Sequence, residues 1–229
     1  MNTATSAIDT RLHPLVAIRA VRALFANPED TRQIFVIFRA LRGRSGIRVF
    51  ERFRASATGA HILSEQRDLL SVLEDRAYLR ALPEGSVGRA YLAFMEAENL
   101  SAAGLVAASE AAYDETVPPE VDLFRKRMRD AHDLTHILTG YGRDALGETC
   151  LLAFMNRHSK NPGQLLIIAM GWLRMPAGAR AAVLQGWRNG GKARWFQDLD
   201  YEALLDRPLE GMRAELGIRP PTRYREIAA

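Results

Sequence analysis

Residues 131–148 read AHDLTHILTGYGRDALGE and hold two histidines, His132 and His136, with Asp133 beside the first and Glu148 further on. The chain has five histidines in all, so this stretch concentrates ligand chemistry. Four residues of an α-helix turn through about 400°, which puts His132 and His136 about 40° apart and one turn above each other. Asp133 stands about 100° from His132 and about 60° from His136, so all three side chains share one flank. Imidazoles and carboxylates on one flank are the means by which a helix contributes to a metal centre. Gly140 and Gly142 end this helix, and the short connection brings the next helix back alongside it. Glu148 lies near the start of that second helix, and Gly147 before it leaves room for a close approach. Two imidazoles and two carboxylates suit Zn²⁺, with Fe²⁺, Mn²⁺ and Mg²⁺ also open.

Other readings compete. HxxxH also occurs on helices that simply carry a polar face. Asp133 can equally stand behind a histidine and hold its ring. In HExxH hydrolases the second residue is a glutamate that works on a metal-bound water, whereas Asp133 is one methylene shorter, so a ligand role suits it better than that of a base. His61 and His158 have no partner pattern and read as ordinary surface or core residues. No GxGxxG, P-loop, CxxC, Ser–His or Cys–His pattern is present, so no catalytic residue is assigned and covalent catalysis has no support.

The elements that must position these residues read as helical. Residues 14–25 place Leu15, Ile18, Val21, Leu24 and Phe25 on one apolar face, and residues 33–42 do the same with Ile34, Ile37, Phe38 and Leu41. GRSG at 43–46 is a break. Residues 64–81 form a helix capped by Ser64, and 88–98 another. A long helix runs from Val121 to about Thr139, followed by 144–157, 164–173 and a segment ending at Gly190 and Gly191. Two short helices over 201–218 meet near Pro208, and an extended tail closes the chain. With no convincing strand pattern, the expected fold is an all-α, single-domain multi-helix bundle over 13–229, behind a loose N-terminal tail at 1–12.

Composition narrows the function. Of the 229 residues, 48% are apolar and 25% charged, ordinary for a globular protein able to bury a core. The single cysteine, Cys150, rules out an internal disulfide. No signal-peptide pattern is visible at the start. The longest apolar run, LLIIAMGWL at 165–173, is far short of the roughly 20 residues that span a bilayer. Residues 1–54 carry ten arginines against four acidic residues, a net of +6, while the whole chain is only +4. That basic third fits an anionic membrane surface or a plain solvated face. It lacks the interleaved aromatic residues and motifs of a nucleic-acid binder, so no nucleic-acid partner is expected.

HDLTH, eleven further residues and Glu148 resemble the HDxxH-x11-E signature of the Coq4 family of ubiquinone biosynthesis. ALFANPEDTRQIF at 23–35, LPEGSVGRAYLAFME at 82–96 and YEALLDRPLEGMRAELGIRPPTRY near the end are similar to further family segments, so the likeness covers about residues 15–225. The resemblance implies an all-α fold, a homodimer and metal ligands at His132, Asp133, His136 and Glu148. It further implies a polyprenylated aromatic or quinone lipid as substrate, and replacement of the ring's C1 carboxylate by hydroxyl. A start close to the domain suggests a bacterial protein, cytoplasmic and peripheral on the inner face of the membrane. Tyr91, Phe94, Met95 and the run at 165–173 are candidates for the lipid groove or for plain core. A second reading is a non-catalytic scaffold, with a structural metal, that presents the lipid intermediate to other quinone-biosynthesis proteins.

Overall fold

The structure, a computed structural model, describes residues 9–27, 30, 32–98 and 117–227. Most of the expected loose tail (1–8) and the alanine-rich stretch at 100–115 lie outside the described residues. At residues 9–12 the chain is held by Asp9, whose carboxylate accepts from the Arg11 N–H and bonds His13 Nε2, both at 2.8 Å.

Among the described residues the regular structure is helical and no sheet forms. The described residues form fourteen α-helices: α1 (Pro14–Ala26), α2 (Arg32–Leu41), α3 (Ser45–Ala55), α4 (Ala57–Glu65), α5 (Leu69–Glu74), α6 (Arg76–Ala81), α7 (Val87–Ala97), α8 (Pro119–Asp130), α9 (His132–Thr139), α10 (Ala145–Ser159), α11 (Pro162–Arg174), α12 (Ala177–Gly190), α13 (Tyr201–Leu204) and α14 (Leu209–Glu215).

Polar residues cut the helices more finely than apolar periodicity suggests. The expected helix 64–81 is the end of α4 followed by α5 and α6. Ser64 caps nothing; its hydroxyl donates to the His61 carbonyl within α4. Gln66 turns left-handed at φ 51° and ends α4, and Asp68 and Asp75 accept N–H bonds from Leu70 and Tyr78 to start α5 and α6. Helix α3, unassigned from the sequence, buries Ile47, Phe50 and Phe53 at steps of three and leaves most of its arginines outside. The expected helix from Val121 to Thr139 is interrupted at Ala131, whose backbone stays right-handed at φ −75° and ψ −3°. Helices α8 and α9 therefore follow on from one another.

Helix α10, which carries Glu148, is the centre of the larger core and packs on α12, α11 and α9. Its crossing with α12 is close. A methyl added at Gly186 or Gly190 would stand 2.6 Å from the Cys150 carbonyl oxygen or 2.3 Å from that of Phe154. A smaller core joins α3, α4 and α8 through Phe50, Phe53, Ile62 and Phe124. Buried Arg127 of α8 grips both carboxylate oxygens of Glu202 at 2.8 and 2.6 Å, fixing the helix that leads into α9.

The apolar face of α1 is largely outside. Helix α1 meets α2 and buries only Ala17 and Ala20, while Leu15, Ile18 and Phe25 are 69%, 48% and 52% exposed. The small residues allow the close helix contact, and the large ones point away from it. Arg174 of α11 stands 4.0 Å above the Phe25 ring.

Candidate metal centre

Helix α9 is eight residues long, and all but His132 are buried. Its C-terminal end is fixed from two directions. Gly140 takes a left-handed φ of 75°, which lets its N–H reach the His136 carbonyl at 2.8 Å. Arg213 of α14 donates to the carbonyls of Ile137 and Leu138 at 2.7 and 3.0 Å, placing positive charge at the negative end of the helix. The next helix starts at Asp144, whose carboxylate caps α10 by accepting from the N–H groups of Leu146 and Gly147 at 3.1 and 3.3 Å. A methyl at Gly147 would stand 2.1 Å from the Gly142 carbonyl oxygen, so only glycine lets the turn fold back this tightly.

This turn brings the predicted residues together. The Nε2 atoms of His132 and His136 lie 3.1 Å apart. Glu148 faces both, with one carboxylate oxygen 3.4 Å from His136 Nε2 and the other 3.8 Å from His132 Nε2. Asp133, His132 and His136 each offer a ligand atom, all within 4.8 Å of one another, so the three can hold a metal ion. His136 Nδ1 contacts the Tyr141 carbonyl at 2.9 Å. A carbonyl only accepts, so Nδ1 carries a proton, and Nε2 is the nitrogen turned to the site and available to an ion.

The centre is closed on one side and open on the other. The His136 side chain is 0% exposed, whereas His132 and Glu148 are 34% and 35% exposed. Burial disfavours charge on His132, but the Glu148 carboxylate outweighs it and holds the imidazole above its ordinary value. Burial likewise pushes Glu148 up, and the two histidines overcome this and pull it down to about 2. The donor set fits a dication. Two imidazole nitrogens supply neutral donors, two carboxylates balance the charge, and an exposed edge leaves a position for a further ligand.

Beside His136 lies an open cavity of about 350 Å³, lined among others by Phe94, Leu209, Arg213, Tyr224 and Glu226. Phe94 stacks on the His136 ring with centroids 5.9 Å apart. Of the residues proposed for a lipid groove, Phe94 alone lines this space. Tyr91 and Met95 turn to a smaller cavity on another face of α7, and the run at 165–173 is on α11, where Leu165 and Leu173 are exposed. Sequence reasoning missed Tyr141, Arg213 and Tyr224, which come from a loop and from residues far along the chain. Asp144, just before a helix, stands where an aspartate signals a cap, and the structure gives it that role.

Comparison with known proteins shows the family. The profile of "Coenzyme Q (ubiquinone) biosynthesis protein Coq4" matches residues 8–222. The chain is 30% identical to the mitochondrial ubiquinone biosynthesis protein COQ4 homolog of Danio rerio, over 93% of this chain and 83% of that protein. It is 29% identical to the Homo sapiens COQ4 homolog, over 90% of this chain and 78% of that one. A crystal structure from Nostoc punctiforme PCC 73102, of a protein provisionally assigned to ubiquinone biosynthesis, superposes with a TM-score of 0.61, covering 90% of this chain and 99% of that one. At 19% identity that likeness speaks for the fold alone. With this helical fold, the ligand cluster on α9 facing Glu148, and a match along nearly its whole length, the chain belongs to the Coq4 family of coenzyme Q (ubiquinone) biosynthesis proteins.

Proposed function

We propose that this protein is a metal-dependent enzyme of ubiquinone biosynthesis that acts on a polyprenylated 4-hydroxybenzoate-type ring at a membrane surface. The observation that carries this reading is the convergence of His132, Asp133, His136 and Glu148 at a centre open on one side and flanked by a cavity. The reaction replaces the C1 carboxylate by hydroxyl. The bond from the ring to the carboxylate breaks, CO₂ leaves, and a C–O bond forms at the same carbon. Dioxygen is the oxidant, and a two-electron donor takes its second oxygen atom to water. A bound divalent ion would supply Lewis-acid charge for the oxygens of the head group, and Zn²⁺, Fe²⁺, Mn²⁺ and Mg²⁺ are the candidates.

The chain's own residues do the rest. His136 is locked with Nε2 toward the centre, and Glu148 closes it from the second helix. Phe94 and Leu209 give the cavity an apolar wall for an aromatic ring and the first part of a tail. Moving a prenyl tail out of water is favourable by roughly 0.8 kcal/mol per CH₂, so the tail helps hold the substrate.

Helix α1 supports the membrane part of the reading. Its exposed Leu15, Ile18 and Phe25 accompany the exposed Leu165 and Leu173 of α11, on a chain whose first 54 residues are net +6. Among the described residues no helix is long and apolar enough to cross a membrane. The same surface favours a second reading, a scaffold that docks on membranes or on other quinone-biosynthesis proteins and holds the lipid without turning it over. Purified protein loaded with each candidate ion, given the prenylated acid, dioxygen and reductant, separates the two. Formation of CO₂ and the hydroxylated ring supports the enzyme; tight lipid binding with no product under any ion overturns it in favour of the scaffold.

A further inference from the structure

The peptide between Tyr141 and Gly142 is hydrogen-bonded at both ends. Its carbonyl accepts the His136 Nδ1 proton at 2.9 Å, and its N–H donates to the Tyr224 hydroxyl oxygen at 3.1 Å. That hydroxyl in turn donates to one carboxylate oxygen of Asp144. The other Asp144 oxygen accepts from the N–H groups of Leu146, Gly147 and Ile227 at 3.1, 3.3 and 3.3 Å, so the carboxylate is anchored.

We propose that Asp144 and Tyr224 are positioning residues of the metal centre: they form the far end of a relay that runs through the Tyr141–Gly142 peptide and fixes His136 as a ligand. The inference rests on the metal reading above and adds residues that lie outside the ligand signature. Every donor in the relay points the same way, from the imidazole through the peptide and the phenol to the carboxylate. Hydrogen bonds aligned in this manner polarise one another. The negative end at Asp144 thus makes the Tyr141 carbonyl a better acceptor, and His136 Nε2 becomes a stronger donor to an ion. Carboxylates bonded directly to a ligating histidine act in the same sense; here a phenol and a peptide carry the effect.

The local sequence is shaped for this contact. A methyl at Gly142 would stand 2.5 Å from the Tyr224 hydroxyl oxygen. The Tyr224 ring is held edge-on against Tyr141, with centroids 5.6 Å apart. Burial and the Asp144 carboxylate push the phenol above its ordinary value, so it keeps the proton it donates. The relay also makes the C-terminal segment part of the site, because Tyr224 and Glu226 form one wall of the cavity beside His136.

The test uses the full chain and Zn²⁺, with affinity measured by competition against a chromophoric chelator. Tyr224→Phe keeps the ring but removes the hydroxyl. Asp144→Ser keeps a capping oxygen but removes the carboxylate. Each is expected to weaken Zn²⁺ binding about tenfold, at the lower end of the range for groups that support ligands. The double variant should lose little more than either alone, because both cut one chain. Amide exchange at Gly142 should accelerate in Tyr224→Phe. Lys126→Gln, which breaks an exposed ion pair with Asp122 on α8, should change neither reading. Wild-type affinity in Tyr224→Phe, or an equal loss in Lys126→Gln, overturns the proposal. If the wild-type chain binds no ion, the metal reading itself fails. Nitrogen NMR of the His136 ring then decides the relay: a single Nδ1-protonated tautomer that becomes mixed in Tyr224→Phe supports it, and an unchanged ring overturns it.

Discussion

Helices α9 and α1 invert the usual arrangement in opposite ways. Helix α9 is enclosed nearly all round and still carries Asp133 and His136 inside. Helix α1 lies at the surface and turns Leu15, Ile18 and Phe25 toward solvent. Burying polar groups costs stability unless they are bonded, and the partners are present around α9 in the Tyr141 carbonyl, in Glu148 and in Arg213 at the helix end. Exposing large apolar groups leaves hydrophobic stabilisation unused, at about 25 cal/mol per Å². Both departures suit the function proposed above, which calls for an ion at one and an apolar surface at the other.

The sharpest way to break the comparison is to remove the polar group at the heart of α9. His136→Ala should abolish stoichiometric binding of a divalent ion, measured by elemental analysis after reloading, while circular dichroism stays helical. Retained binding would move the site elsewhere.

Glu148→Gln comes next. It keeps the volume but removes a negative charge facing both histidines, so affinity should fall at least about 10–100-fold, the range for residues that only support ligands. Asp144→Asn, at the same turn, is not a neutral change either, because Asp144 caps α10 and holds Tyr224.

A change of pH should act more gently. Glu148 is depressed from 4.5 to about 2, so its contribution to the metal-free fold is full above 4.5 and fades as pH falls toward 2. His132 is raised above its ordinary 6.5, so its contribution is full below 6.5 and fades as pH rises through the raised value. The pair should therefore stabilise the ion-free protein most between pH 4.5 and 6.5. Thermal melts of wild type against Glu148→Gln should show the difference shrinking on both sides of that window. Ion binding runs the other way at the upper edge: it strengthens as pH rises through the raised value of His132, because protons cease to compete for the imidazole.

The smallest effect on folding is expected on α1. Leu15→Ser with Ile18→Ser should change stability by about 0.5 kcal/mol or less per site, as exposed positions do. The same pair should weaken binding to anionic vesicles, and wild-type binding should fall as salt shortens the Debye length toward about 3 Å at 1 M. A large loss of stability would mean that the face is core after all.

The helical class and the clustering of His132, Asp133 and His136 were legible because both depend on short spacings. His132, Asp133 and His136 share a flank by geometry alone, and Gly140 sits where a left-handed residue must end the helix. The boundaries were less legible where polar residues compete with periodicity, as with Asp68 and Asp75 inside the expected helix at 64–81. Helix α3 was passed over because its many arginines hide Ile47, Phe50 and Phe53.

What the sequence determined by itself is the helical pattern, the shared flank of His132, Asp133 and His136, and the place of Glu148 near the start of the following helix. What only the tertiary structure decided is how that site is held and which faces are covered. Tyr224 reaches Gly142 across 82 residues and Arg213 reaches the end of α9 across 75 and 76. The apolar stripe of α1 reads like any core face, yet packing sets it outside. The reason is physical. Periodicity fixes the direction of a side chain relative to its own helix axis, whereas contact depends on where other helices lie, and only the packing of the whole chain sets that.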